Sequence, residues 1–182
     1  YKGAQGGYSH NAFEESLMSK KGIFPNYLKL IHKVVECYYG SVREDGQKML
    51  IFCASVSLCT IVRDYLQKMY PTLTVTRYCQ GDEYQDLLDA DIGVSTVLSA
   101  GTAVDIPNLR VTLMTTSIDS RQSNEQALGR TRPLKDWLDV IPLFLYLVCE
   151  DIDRHVIYHE NKMNFFKGKV LSHEEEELDF VV

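Results

Sequence analysis

No run of about 18 consecutive apolar residues occurs in this 182-residue chain, so no membrane-spanning helix is expected. The densest apolar stretch, Val140 to Cys149, is too short for that and reads as a buried strand. The five cysteines, Cys37, Cys53, Cys59, Cys79 and Cys149, form no C-x-x-C pair and are odd in number. That argues against both a zinc site and a disulfide framework. Free, buried thiols in a reducing intracellular compartment are expected instead. No secretory leader is apparent, and cytoplasm, nucleus and a viral or phage source all stay open. The pattern G-x-x-x-x-G-K-[ST] is missing, which excludes a phosphate-cradling loop of that kind within the chain. A glycine-rich strand-to-helix turn of the dinucleotide-binding kind is missing too. The chain starts at Tyr1 rather than Met, with Gly3, Gly6 and Gly7 close behind, as expected of a piece of a longer protein.

What remains is ordinary globular composition, 45% hydrophobic and 24% charged, enough to bury a real core. The formal charge of −6 is unevenly spread: Glu174 to Glu177 and Asp179 supply five negatives, leaving about −1 for residues 1–173. Between Arg121 and Lys135 there are four basic residues against the single acid Glu125. Net charge therefore neither favours nor excludes a polyanionic partner, and local charge decides.

Strand-like and helical patterns alternate. Asn26 to Tyr39 has helical apolar spacing, with Pro25 at its start and Gly40 at its end. Met49 to Ala54 is a continuous apolar run, as in a strand buried on both faces, and Ser55 or Ser57 can cap the helix that follows. Pro71 ends that helix, and Leu73 to Tyr78 alternates like a strand. A short helix from Glu83 to Leu88 leads to strands at Ile92 to Ser95 and Val111 to Thr115. A helix around Glu125 to Leu128, the long strand Val140 to Cys149, a helix from Asp151 to Phe166 and an extended piece near Val170 complete the order. Such alternation predicts an α/β fold, a parallel sheet with helices on both faces. Ligands of these sheets collect at the carboxyl ends of the strands.

Three segments fall at such ends. Gln126 to Arg132 sets a glutamine and two arginines, Arg130 and Arg132, around Gly129. Guanidinium forks match phosphate oxygens and stabilise charge spread over a phosphoryl group, although arginines at an exposed helix end also occur as plain solvated charge. Ser95 to Asn108 runs from a strand into small and hydroxyl residues and then Asp105-Ile106-Pro107. Small residues let backbone N–H groups approach a phosphate, but a polar strand-to-loop junction with a capping serine has the same composition. Met49 to Ser57 alone is only a strand and a cap. His155 and His159 have a metal-ligand spacing without an evident third ligand and are expected at the surface. Trp137 is expected in core or rim packing and Glu174 to Glu177 in a solvated tail.

Taken in order, these segments resemble the second RecA-like domain of superfamily 2 helicases and translocases. Met49 to Ser57 is similar to motif IV, Ser95 to Pro107 to motif V and Gln126 to Arg132 to motif VI. The likeness runs from about Lys48 to Arg132, with a family-like strand and helix continuing to about Phe166. The Asp86-to-Thr96 passage and the Gln-Ala-Leu-Gly-Arg core look like the group containing phage UvsW and the XPB repair helicase. The resemblance implies a RecA-like fold in which Gln126, Arg130 and Arg132 face ATP, one arginine acting as the finger on the γ-phosphate. Gly101, Asp105 and Gly129 would lie near the nucleotide. Ser55, Gly81, Thr96 and Ser99 would touch the sugar-phosphate backbone of single-stranded or duplex nucleic acid, DNA ahead of RNA, with little base specificity. Two positions depart from the family pattern. Pro133 stands where the second arginine usually falls, so Arg132 takes that role, and Ala103 replaces the glycine two residues before Asp105.

On this resemblance, residues 1–45 form a helical lead-in from a preceding RecA-like domain, 46–172 the RecA-like domain itself and 173–182 an acidic tail. The acidic pairs Asp82-Glu83 and Glu174 to Glu177 lack the strand context of a magnesium-holding motif. ATP and Mg²⁺ would then be held mainly by the preceding domain, and this chain alone would not hydrolyse ATP. The alternative is a nucleic-acid-binding or protein-docking module on the same scaffold that no longer uses ATP.

Overall fold

The computed structural model describes residues 1–2, 7–100 and 104–178. Its organising element is β1 (Lys48–Cys53), whose last five residues are all buried. Because neighbouring side chains of a strand point to opposite faces, Met49, Ile51 and Cys53 enter one apolar cluster while Leu50 and Phe52 enter another. A strand so apolar on both faces needs helices on both, and it has them. On the first face lie α1 (His10–Ser19), α2 (Phe24–Val35) and α3 (Val56–Met69), through Leu17, Ile31, Val35, Leu58, Val62 and Leu66. The second face receives α4 (Tyr84–Asp89), α5 (Val97–Ala100) and α6 (Arg121–Leu128), through Leu87, Ala100 and Ala127.

Around β1 the sheet runs in the order β2–β3–β1–β4–β5, all parallel, with β2 (Val75–Tyr78), β3 (Ile92–Thr96), β4 (Leu109–Met114) and β5 (Leu143–Tyr146). The expected α/β architecture of a parallel sheet between helical layers is the one observed. The last helix, α7 (Asp153–Phe166), packs on α6. None of the helices among the described residues is long and apolar enough to cross a membrane.

Several local expectations change. Helix α1, with Ser9 as its N-cap accepting from the Ala12 N–H, was not marked by the apolar spacing used to find α2. Helix α2 starts at Phe24 and passes at Glu36–Gly40 into a wider π-type turn. The strand expected over Val140 to Cys149 shrinks to Leu143–Tyr146, which pairs with Val111 to Met114 and stops at its carboxyl end where β4 stops. Pro142 has no N–H to add to the ladder, and Ile141 beside it is exposed. The segment near Val170 is a turn, with Gly168 at φ +75°, instead of an extended piece. The acidic segment after His173 folds back on the domain: Tyr38 donates to Glu176, and Glu175 Oε1 lies 3.2 Å from His159 Nε2.

A polar group of side chains crosses the core near α1 and α7. The Tyr8 hydroxyl lies 2.9 Å from His10 Nδ1 and 2.5 Å from His155 Nε2, and the two imidazoles stack at 5.5 Å. His155 is thus buried, contrary to the expected surface position, and no group of metal-ligating side chains forms among the described residues. Lys162, only 2% exposed, places Nζ 4.1 Å from the Tyr146 ring centre and 4.0 Å from Met114 Sδ. Burial lowers the Lys162 amine to about 7, and burial with neighbouring positive charge lowers His10 to about 3 and His155 to about 4.

A depressed amine pKa means that the unfolded chain takes up the proton first. The Lys162 contribution to stability is therefore whole above its unfolded value near 10.5 and is lost as pH falls toward about 7. Lys162→Met, which keeps the volume and removes the charge, is expected to stabilise the fold by about 1–4 kcal/mol at pH 7. The gain should vanish toward pH 10.5, as read from urea unfolding at the two pH values. A gain independent of pH would mean that packing, not charge, separates the two side chains.

Candidate functional site

Strand order decides which residues can act together. Because β2, β3 and β1 are adjacent and parallel, their carboxyl ends form a row. After β2 comes Gly81, β3 ends on Thr96 with Ser99 beyond it, and after β1 comes Ser55, so the four residues singled out for strand contact follow one another along one edge.

Each is held differently. Gly81 has φ +93°, a conformation glycine adopts without strain, and its missing side chain faces open space. The turn around it is clamped by Asp82, whose carboxylate accepts from Arg77 Nε (2.8 Å), Arg77 Nη2 (2.7 Å) and the Cys79 N–H (2.8 Å). The Arg77 hydrogen bonds hold the Asp82 carboxyl below its usual range. Arg77 Nη1 also donates to the Thr60 hydroxyl on α3 at 3.0 Å. Thr96 Oγ1 accepts from the Ser99 N–H at 3.2 Å and lies 2.9 Å from Ser99 Oγ, so the two hydroxyls act as one unit at the start of α5. Ser55 is the N-cap of α3, its Oγ accepting from the Leu58 N–H at 3.2 Å.

At Ser55 the structure adds a residue that sequence reasoning missed. Glu14 of α1, with no exposed surface, accepts from the Ala54 N–H (2.8 Å) and the Ser55 N–H (2.9 Å). The backbone donor of Ser55 is thereby committed within the chain, and its hydroxyl is engaged both by the Leu58 N–H and by Glu14. Burial raises the Glu14 carboxyl to about 7, against the pull of these same backbone donors. No spacing around Glu14 announces this role, because its partners lie forty residues away.

The arginines occupy the other half of the site, after β4. Ser120 caps α6 by accepting from the Ser123 N–H, and Gly129 closes the helix, so Gln126 lies in its last turn, half-buried. Beyond it Arg130 is half-buried and donates through Nη1 to the Val104 carbonyl. Burial first, and then the charge of Arg132, holds the Arg130 guanidinium below its usual value. Arg132 is 65% exposed; its Nε donates to the Gly129 carbonyl at 3.2 Å, and Nη1 lies 3.7 Å from Asp105 Oδ1. Asp105 is itself braced from α4, since the Tyr84 hydroxyl donates to its carbonyl (2.8 Å) and accepts from its N–H (3.2 Å). Gly101 lies outside the described residues.

Asp105, Ile106, Pro107, Arg130, Arg132 and Lys135 line a shallow cleft of about 90 Å³. Pockets that enclose a whole ligand of drug size run to roughly 300–1,000 Å³. The cleft is therefore a cationic rim, able to meet phosphate oxygens but not to surround a nucleotide. Asp105 is the carboxylate beside the arginines, and no metal-ligating group of three forms among the described residues.

No family model matches the chain, and no curated protein does. Solved structures do. The C-terminal domain of the DEAD-box protein Dbp5 is similar over 76% of this chain and 78% of its own, at 14% identity and a TM-score of 0.55. Domain 2 of the DEAD-box helicase Mss116p, bound to an RNA duplex, is similar over 83% of this chain and 59% of its own, at 16% identity and a TM-score of 0.56. A fragment of a putative HsdR subunit of a type I restriction enzyme from Vibrio vulnificus YJ016 is similar over 66% of this chain and 26% of its own, at 14% identity and a TM-score of 0.52. The fold of this chain is that of the RecA-like C-terminal domain of DEAD-box helicases.

Proposed function

We propose that this chain is the C-terminal motor domain of an ATP-dependent helicase or translocase. It would present Arg130 and Arg132 to ATP bound by a preceding RecA-like domain and grip the backbone of a nucleic-acid strand along the carboxyl ends of β2, β3 and β1. The observation that carries the reading is the placement of both arginines beside Asp105 at one rim, next to the row Gly81, Thr96, Ser99 and Ser55. A cationic rim without a phosphate cradle is half of a nucleotide site, and a partner domain would complete it.

ATP supplies the transferable phosphoryl group. Arg130 and Arg132 would stabilise the charge on its oxygens, with Gln126 beside them and Asp105 releasing Arg132 as the phosphates arrive. Their exposed ion pair is worth at most about 1 kcal/mol, so the exchange costs little. This chain brings no ligand set for Mg²⁺ among its described residues, and in this reading the preceding domain holds the ion. Gly81, Thr96 and Ser99 would accept phosphates through N–H and hydroxyl donors, which position a strand without reading its bases. Mss116p domain 2 was solved on an RNA duplex, so the expected preference for DNA gains no support from that neighbour, and the proposed track is DNA or RNA. Within the superfamily, the affiliation we propose is the UvsW and XPB group, on the Asp86-to-Thr96 passage and the Gln-Ala-Leu-Gly-Arg core.

In the full-length protein, Arg130→Ala is expected to lower ATP turnover by about 10³-fold or more, with oligonucleotide affinity unchanged within about three-fold. Steady-state ATPase assays and fluorescence anisotropy read the two quantities. Turnover equal to wild type would remove the arginine from the mechanism.

Ser99→Ala should have the opposite profile. Losing one phosphate-facing hydroxyl is expected to weaken oligonucleotide binding by about five-fold, within the range of a single hydrogen bond. Turnover at saturating oligonucleotide should stay near wild type. Equal affinity of Ser99→Ala and wild type for single-stranded DNA and RNA would take Ser99 out of the interface.

A further inference from the structure

The nucleic-acid row and the arginine rim are separate features of the proposed site, yet one side chain joins them. Tyr84 is the first residue of α4, three positions after Gly81 and directly behind the turn that Asp82 and Arg77 clamp. Its ring meets that of Tyr78, the last residue of β2, at 6.0 Å. Its hydroxyl engages the backbone of Asp105 twice, donating to the carbonyl at 2.8 Å and accepting from the N–H at 3.2 Å. From there both arginines are one contact away: Asp105 pairs with Arg132 at 3.7 Å, and Val104 accepts from Arg130.

Resting on the function proposed above, we propose that Tyr84 is a positioning residue that couples nucleic-acid binding to ATP turnover. It transmits the position of the Gly81 turn to Asp105 and so to Arg130 and Arg132. It touches neither strand nor nucleotide. The path has physical content because each link is short and directional. The Gly81 turn is rigid, held by a two-point guanidinium–carboxylate pair, so a strand seated on it moves the start of α4 as a unit. The aromatic ring is stiff, with few rotamers, and its hydroxyl holds both the N–H and the carbonyl of Asp105, which belong to the two peptide units flanking that residue. The Asp105–Arg132 pair at the far end is exposed and weak, so a small displacement of residue 105 is enough to change which partner Arg132 prefers.

The experiment uses the full-length protein and compares wild type, Tyr84→Phe, Tyr84→Ala and Arg130→Ala. ATP turnover is measured with and without saturating oligonucleotide, alongside oligonucleotide Kd by anisotropy. For Tyr84→Phe, which keeps the ring and loses only the hydroxyl, basal turnover and Kd should stay within about three-fold of wild type. The stimulation ratio, saturated over basal turnover, should fall by about five-fold or more. Tyr84→Ala should lose at least as much. A Tyr84→Phe protein stimulated as strongly as wild type overturns the proposal, even if Tyr84→Ala is impaired, because the ring and not the hydroxyl would then matter. If wild type shows no stimulation and Arg130→Ala turns over like wild type, the motor reading itself fails and the coupling role falls with it. Those two failures are distinguished by the wild-type ratio.

Discussion

Everything at the functional edge depends on the double burial of β1. Its five apolar residues, Met49 to Cys53, alternate between two hydrophobic clusters, so the strand cannot lie anywhere except between other strands and beneath helices on both sides. Pairing with β3 on one side and β4 on the other aligns the carboxyl ends of the sheet. The loops that emerge there carry hydroxyls, a left-handed glycine and arginines, while the amino ends are tied off by ordinary structural contacts. Among those contacts, Tyr39 lies within hydrogen-bonding distance of the Gln47 and Asp91 carbonyls, and Arg43 pairs with Asp91 at 2.7 Å. One edge is closed by its own polar groups, and the other presents donors.

The presenting edge is itself only partly open. Backbone N–H groups just past a strand lose their ladder partner and must find another when buried. Here side chains supply partners past four of the five strands, Asp82 taking the N–H of Cys79 after β2. Glu14 takes the N–H groups of Ala54 and Ser55 after β1, His10 takes that of Ser117 after β4, and His155 takes that of Cys149 after β5. Two of these side chains come from α1, which explains why a helix before the first strand belongs to the same core. The ends of β2 and β3 have no such cover from α1, and there the candidate phosphate contacts Gly81, Thr96 and Ser99 fall.

The two arginines differ in how firmly they are held, and the difference matters under the proposed function. Arg130 is half-buried, bonded to Val104 and lowered in basicity by its surroundings, as suits a group fixed in place before a ligand arrives. Arg132 is mostly in water and shares Asp105 loosely, as suits a group that exchanges partners. Pro133 follows at once and limits the backbone of Arg132, because the residue before a proline is biased away from helix. Helix α6 has already ended at Gly129, and both arginines lie on irregular chain beyond it.

The sequence by itself determined the parallel α/β class, the central strand and the three segments that fall past the carboxyl ends of strands. Those features are local: continuous apolar runs, a capping serine at 55, and an arginine pair after a helix are visible within a few residues. It also carried the likeness to helicase second domains, and the fold agrees with that. Only the tertiary structure decided the rest. The last strand ran only from Leu143, just past Pro142, to Tyr146, where its neighbour β4 also stops at Met114. His155 was buried because Tyr8, 147 positions away, closes over it. Glu14 came to brace Ser55, and Tyr84 to brace Asp105, because the strand order brought those residues to them. Each of these rests on a partner distant in the chain, and a hydrogen bond between distant residues leaves no periodicity to read.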